Sequence, residues 1–300
     1  MPPTIRAAEN RLAGIFPKWV KTIALVAPAS PGPSIQKVDE AIGLLTEAGI
    51  KVKVMPNARE GEPAGYTSIP AKKRVADLEQ AWLDTEVDLI LCIRGGVGTI
   101  DIVDKLDWEK LRTRPNLPVL GFSDITVLHM AMLKEKVGHP YASASLLALP
   151  IIDNDSLKSI QSVLNAQSPE PVKLTPLRTG KASGVALAGH LRLLDTVSRT
   201  RFRPETQGKV IFIESPDLAP AEAEKTLQNL RESGFFDSCA AVVFGRLSNC
   251  GEHEEIVMRD FAGKVKCPVY MGFPYSHTPR NQMIDLRGEI TIDDKGWLRR

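Results

Sequence analysis

An α/β fold is predicted, with an N-terminal doubly wound parallel sheet and a second, C-terminal α/β domain. Three observations predict it. Short apolar runs alternate with amphipathic stretches through the first 145 residues, the rhythm of strands joined by helical crossovers. The central runs are apolar throughout, as strands buried on both faces are. After a break the same rhythm resumes near residue 181.

Ile23 to Ala27 is a short apolar strand closed by the turn-forming segment Pro28 to Pro33. Ser34 then reads as an N-cap, because Val38, Ala41, Ile42, Leu44 and Leu45 recur at helical spacing before Gly49 stops the helix. Ile50 to Met55 alternates apolar and basic residues, as a half-buried strand near a sheet edge does. A helix follows over Ala71 to Leu83, then the strand Val87 to Cys92, the strand Leu117 to Gly121 and the helix Asp124 to Glu135. Between Pro140 and Val185 small residues and prolines interrupt the alternation, with a short helix near Leu157 to Leu164. Residues 146–180 are therefore the expected linker between a first domain at 1–145 and a second at 181–300. The second holds strands at Val185 to Ala188, Lys209 to Ile213, Ala240 to Phe244 and Val269 to Met271, with helices at Ala221 to Glu232 and Glu254 to Ala262.

Composition excludes several classes of function. With 300 residues, 43% apolar content and 25% charge, the chain has ample material for a core. Its 38 basic and 36 acidic side chains leave a formal charge of +2 and no basic stripe, so no nucleic-acid partner is expected. No run approaches the about 20 apolar residues of a membrane helix, and Met1-Pro2-Pro3 with Arg6 and Arg11 is followed by no signal-peptide h-region. Cys92, Cys239, Cys250 and Cys267 form no C-x-x-C pair, which argues for free thiols in a reducing compartment.

Gly121-Phe122-Ser123-Asp124-Ile125-Thr126 lies where a strand ends and a helix begins, a geometry that raises a hydroxyl above a parallel sheet. The plainer alternative is that Ser123 only caps the helix, and Ile125 stands where G-x-S-x-G requires glycine. Arg94-Gly95-Gly96-Val97-Gly98 follows a strand and could bring backbone N–H groups to a ligand or form a tight turn; it lacks the G-x-G-x-x-G of a dinucleotide site. Activating a serine needs a base that titrates near neutrality. Of five histidines, His129 sits on an apolar helix and suits the core, and His253 opens a charged helix. His190 and His277 both follow strands at the edge where parallel sheets place their sites, and pattern does not choose between them. Glu214 ends the apolar run Val210 to Ile213 and could orient a histidine or stand solvated, with Asp124 and Asp285 the other acidic candidates.

Four blocks in order, Val87 to Gly98, Gly121 to Thr126, Val210 to Glu214 and Gly272 to His277, together resemble the LD-carboxypeptidase family of serine peptidases, which includes microcin C self-immunity proteins. Gly65-Tyr66 with Lys73 to Leu83 extends the likeness. The resemblance implies a barrel-like C-terminal domain and a triad of Ser123 as nucleophile, His277 as base and Glu214 as its orienting acid. It also implies an oxyanion hole from the N–H of Asp124 with one from Gly95-Gly96, no metal and no cofactor. The substrate implied is murein tetrapeptide, cut before its terminal D-alanine in cytoplasmic recycling, commonly by a homodimer. Arg94, beside Gly95, is the candidate anchor for the substrate carboxylate.

Val97, His190, Ser276 and the segment His139 to Ser145 depart from the family's usual tyrosine, asparagine, glycine and H-G-P. These departures bear on substrate more than on triad chemistry. The alternatives are an amidase of the microcin-immunity type, acting on aminoacyl or peptidyl nucleotide analogues, and a homologue that binds a peptide without cutting it. Against the first stands the lack of aromatic residues between Leu128 and Phe202 other than Tyr141.

Overall fold

The computed structural model describes residues 10–58 and 69–300, so Gly65-Tyr66 and the extreme N-terminus lie outside the described residues. Strands β1 (Thr22–Val26), β2 (Lys51–Val54), β3 (Leu89–Cys92), β4 (Pro118–Gly121) and β5 (His139–Ala142) lie in the order β2-β1-β3-β4-β5, all parallel. That is a doubly wound order whose direction of winding reverses between β1 and β3, and such sheets bind ligands beyond the strand ends at that crevice. Every residue of β1, β3 and β4 is buried, as their unbroken apolar runs require, and β2 with its two lysines is the edge.

The crossovers are α1 (Ile35–Glu47), α2 (Ala71–Leu83), the one-turn α3 (Ile100–Val103) and α4 (Trp108–Leu111), and α5 (Thr126–Glu135). Ser34 caps α1 as expected, its side chain accepting from the Lys37 N–H, and Val38, Ala41 and Leu45 make the buried stripe. Helices α3 and α4 escape sequence reading because four residues carry no periodicity.

The rest of the chain builds α6 (Asn154–Leu164), β6 (Val172–Lys173), β7 (Thr175–Arg178), β8 (Ala182–His190), α7 (Leu191–Ser198), β9 (Val210–Ser215), α8 (Pro220–Glu232), β10 (Ala241–Leu247), α9 (Glu254–Lys264), β11 (Val269–Met271), β12 (Ile284–Asp285), β13 (Glu289–Ile292) and β14 (Trp297–Arg299). Eight of these strands form one sheet in the order β6-β14-β13-β8-β9-β10-β11-β7. Strands β8 to β11 are parallel, and the flanking strands antiparallel. Only Leu174 separates β6 from β7, a span of about 7 Å at most, yet the two lie at opposite ends of the sheet. The sheet is therefore rolled into a nearly closed barrel. Residues 146–180, expected as a linker, contain α6 and both of these closing strands.

Strand β12 leaves the barrel and pairs antiparallel with β5, adding a sixth strand to the first sheet. The two sheets share one continuous core. Cys92, Cys239, Cys250 and Cys267 are all buried and form no disulfide, and the Cys239 thiol donates to Cys267 Sγ at 3.3 Å. Among the described residues no helix is long and apolar enough to cross a membrane.

Candidate active site

Ser123 follows β4 by two residues and opens a single 3-10 turn, Ser123–Ile125, that runs into α5. Its φ is +63°, a left-handed conformation that costs an L-residue about 1–2 kcal/mol. The capping alternative fails: Phe122 occupies the N-cap position of that turn, and no side chain caps it. The strained turn holds the hydroxyl at the carboxyl edge of the sheet, and the Asp124 N–H, in the first turn, lacks an intrahelical acceptor. Asp124 itself is buried and turns its carboxylate away, Oδ2 accepting from Thr99 N at 2.8 Å and Thr99 Oγ1 at 2.6 Å. Burial raises its carboxyl above the ordinary range, against the pull of those bonds and of His190 and Arg74 nearby.

The loop Arg94 to Gly98 lies beside this turn. A Cβ on Gly95 would stand 2.7 Å from Ser123 Cβ and 3.0 Å from its Oγ, so only glycine lets the loop backbone come this near the hydroxyl. Ser30, after β1, fixes the loop from the other side: its N–H donates to Gly95 O, and its Oγ accepts from Val97 N at 3.1 Å. Arg74 on α2, a residue that sequence reasoning missed, donates to the carbonyls of Pro28 (2.6 Å), Gly98 (2.8 Å) and Ile69 (3.0 Å). A buried guanidinium clipping both loops gave no sequence signal, since its hydrogen bonds go to backbone carbonyls and its ion pair, to Asp101 at 3.6 Å, joins residues far apart in sequence.

Glu214 is fully buried at the end of β9, and its Oε2 lies 2.8 Å from His277 Nδ1. The solvated alternative for Glu214 is thereby excluded. His277 sits in the loop after β11, and Gly245 explains how that loop comes so close: a Cβ there would stand 1.9 Å from the Tyr275 carbonyl oxygen, which instead accepts from Arg246 N. Phe122 joins the two halves, its ring 4.6 Å from His277 and 5.2 Å from Tyr275. Burial beside Glu214 holds the Tyr275 phenol well above its ordinary range, so it stays neutral.

The remaining candidates separate cleanly. His129 is buried in α5, and burial lowers its imidazole from 6.5 to about 3, as befits a core residue. His253 is exposed. Asp285 pairs with His139 at 2.7 Å on β12 and β5, and His139 stacks on Tyr141. His190 ends β8 beside Glu214 with its ring 6.1 Å from that of His277, and its Nε2 lies 3.2 Å from Asp217. His190 thus stands behind the base. Ser276 turns its hydroxyl into its own loop, bonding Thr278 Oγ1 and Arg280 O. Val97 is exposed.

Ser123, His277, Arg94, Gly95 and Gly96 line one cavity of about 460 Å³, with Ser145, Thr278 and Asn281 among its polar residues. Leu147, Ala148, Ile151 and Ile152 form an apolar wall. Among the described residues no hydrogen bond joins Ser123 to His277, and Arg94 has no hydrogen-bond or ion-pair partner. Catalytic hydrogen bonds in unliganded sites commonly tighten only with substrate. Nor do three His, Cys, Asp or Glu side chains gather as metal ligands among the described residues.

Comparison with known proteins bears on this arrangement. The family described as LD-carboxypeptidase N-terminal domain matches residues 23–141, and its C-terminal domain counterpart matches residues 183–292. A probable murein peptide carboxypeptidase of Bacillus subtilis is 31% identical over 85% of this chain and 83% of its own. A murein tetrapeptide carboxypeptidase of Pseudomonas aeruginosa is 24% identical over 72% of this chain and 76% of its own. Among solved structures, muramoyltetrapeptide carboxypeptidase from Oxalobacter formigenes superposes with a TM-score of 0.81 at 21% identity, covering 93% of this chain and 97% of that one. MccF in complex with glutamyl sulfamoyl guanosine gives 0.82 at 18% identity, covering 94% and 96%.

Proposed function

The chain belongs to the LD-carboxypeptidase family of serine peptidases, and from that premise we propose that it cuts the amide before a C-terminal D-amino acid, releasing D-alanine from murein tetrapeptide. The observation that carries this is the buried Glu214 carboxylate on His277 Nδ1 at 2.8 Å, in a site whose cavity also holds Ser123 and an Arg94 with no partner among the described residues.

An acid on Nδ1 leaves Nε2 as the basic nitrogen. Ser123 Oγ attacks the scissile carbonyl carbon while His277 Nε2 takes its proton, and the N–H groups of Asp124 and Gly96 receive the oxyanion. Collapse breaks the C–N bond, and His277 returns the proton to the departing D-alanine nitrogen. Water then attacks the acyl-serine with His277 again as base, freeing the shortened peptide and the hydroxyl. Arg94 pairs with the terminal carboxylate of the substrate, which restricts cleavage to the last residue. The names of the relatives support a murein peptide as substrate; cytoplasmic recycling and a homodimer rest on the family resemblance.

The test is mass-spectrometric detection of D-alanine released from murein tetrapeptide by wild type and Ser123→Ala side by side, with EDTA present. Release by wild type alone is expected. No release by folded wild type overturns the murein substrate, and loss of activity to the chelator overturns the serine mechanism.

A further inference from the structure

His190 and Glu214 are register partners on the adjacent parallel strands β8 and β9, so their side chains leave the sheet on the same face. Both are buried, and each carries one buried polar atom with no hydrogen-bond partner among the described residues, Nδ1 of His190 and Oε1 of Glu214. Two orphaned atoms on neighbouring side chains call for a proton between them, shared directly or through one buried water. The other imidazole nitrogen is already held: Nε2 lies 3.2 Å from Asp217 Oδ1, which also accepts from Ser215 Oγ at 3.0 Å.

The charges around His190 favour a cation. Glu214 on β9, Asp217 in the following turn and Asp124 in the turn before α5 surround it with three carboxylates. Against them stand Arg192 on α7, 3.4 Å from Asp217, and Arg74, within reach of Asp124. His277 is the remaining titratable neighbour, and Thr126 Oγ1 accepts the His190 backbone N–H. While His277 is neutral, Glu214 is a buried anion with no other cation hydrogen-bonded to it among the described residues, a costly arrangement.

We propose that His190 is a positioning residue for the Glu214–His277 pair: an imidazolium held by Asp217 that turns Nδ1–H to Glu214 Oε1 and keeps this carboxylate ionised and fixed. The inference rests on the triad proposed above and adds a member behind it, so that Asp217, His190, Glu214 and His277 form one chain of alternating charge.

Two measurements test this. Imidazole nitrogen NMR of the full-length chain, with His190 assigned by difference from His190→Asn, is expected to show protons on both His190 nitrogens at pH 7, and Glu214→Gln should shift the Nδ1 resonance. A neutral His190 at pH 7 overturns the proposal. In steady-state D-alanine release, His190→Asn should lower kcat about tenfold with KM within about twofold. Asp217→Asn, at a half-exposed position, repeats that fall in kcat if His190→Asn folds poorly. An unchanged kcat in both variants overturns the proposal. Failure of wild type to release D-alanine would sink the substrate and leave the NMR outcome to decide on His190.

Discussion

Ser123 and His277 reach one cavity from sheets that support them by different means. On the first sheet the support is backbone conformation: a left-handed serine, a glycine loop pressed against it, and carbonyls gathered by Arg74. On the barrel the support is buried charge, a carboxylate with no exposed surface holding the imidazole. The first sheet's contribution should therefore survive loss of the reactive side chain with the fold intact, whereas the barrel's should not.

The sharpest break of that contrast pairs Ser123→Ala with His277→Ala. Each should lower kcat by about 10⁴–10⁶. Ser123→Ala should keep stability within about 0.5 kcal/mol, while His277→Ala leaves the buried Glu214 Oε2 without its hydrogen-bond partner and should cost about 1–3 kcal/mol; D-alanine release and urea unfolding measure the two. Glu214→Gln should cost about 10⁴ in kcat, less than loss of the base.

Gly245→Ala probes the mounting of the base without touching it, since its methyl would collide with the Tyr275 carbonyl. Denaturation should show a loss of about 1–3 kcal/mol, accompanied by a fall in kcat. The first sheet adds a pH effect. His129 stays neutral when folded, its imidazole lowered from 6.5 to about 3, so the unfolded chain binds the extra proton. Stability should then fall by about 1.4 kcal/mol per unit as pH drops below 6.5 towards 3, and His129→Leu should flatten that limb. Least of all, Ser123→Gly relieves the left-handed strain and should be about 0.5–1 kcal/mol more stable than Ser123→Ala.

What was legible in the sequence follows the range of the forces involved. Helix α2 is read to its ends, Ala71–Leu83, and the Ser34 cap and the edge position of β2 are likewise read, because each depends on neighbours in sequence. Strands β6, β7 and β12 to β14 were missed, being two to four residues long and defined by partners far along the chain. At the site, the loop carrying Ser123 was visible but its backbone twist was not. Pattern left His190 and His277 equal, and only a resemblance separated them. The structure sets both beside Glu214, one bonded to it and one next to it in register.

The return of β12 to the first sheet bears on how the molecule is made. Ribosomes deliver the chain from its N-terminus, so the first sheet stands with β5 as an unpaired edge until Ile284–Asp285 emerges. At about 5–20 residues per second that is a wait on the order of 10–30 s. Ser123 is synthesised early, but His277 arrives only with the segment just ahead of that closing strand, so the two halves of the site meet only as the edge is sealed.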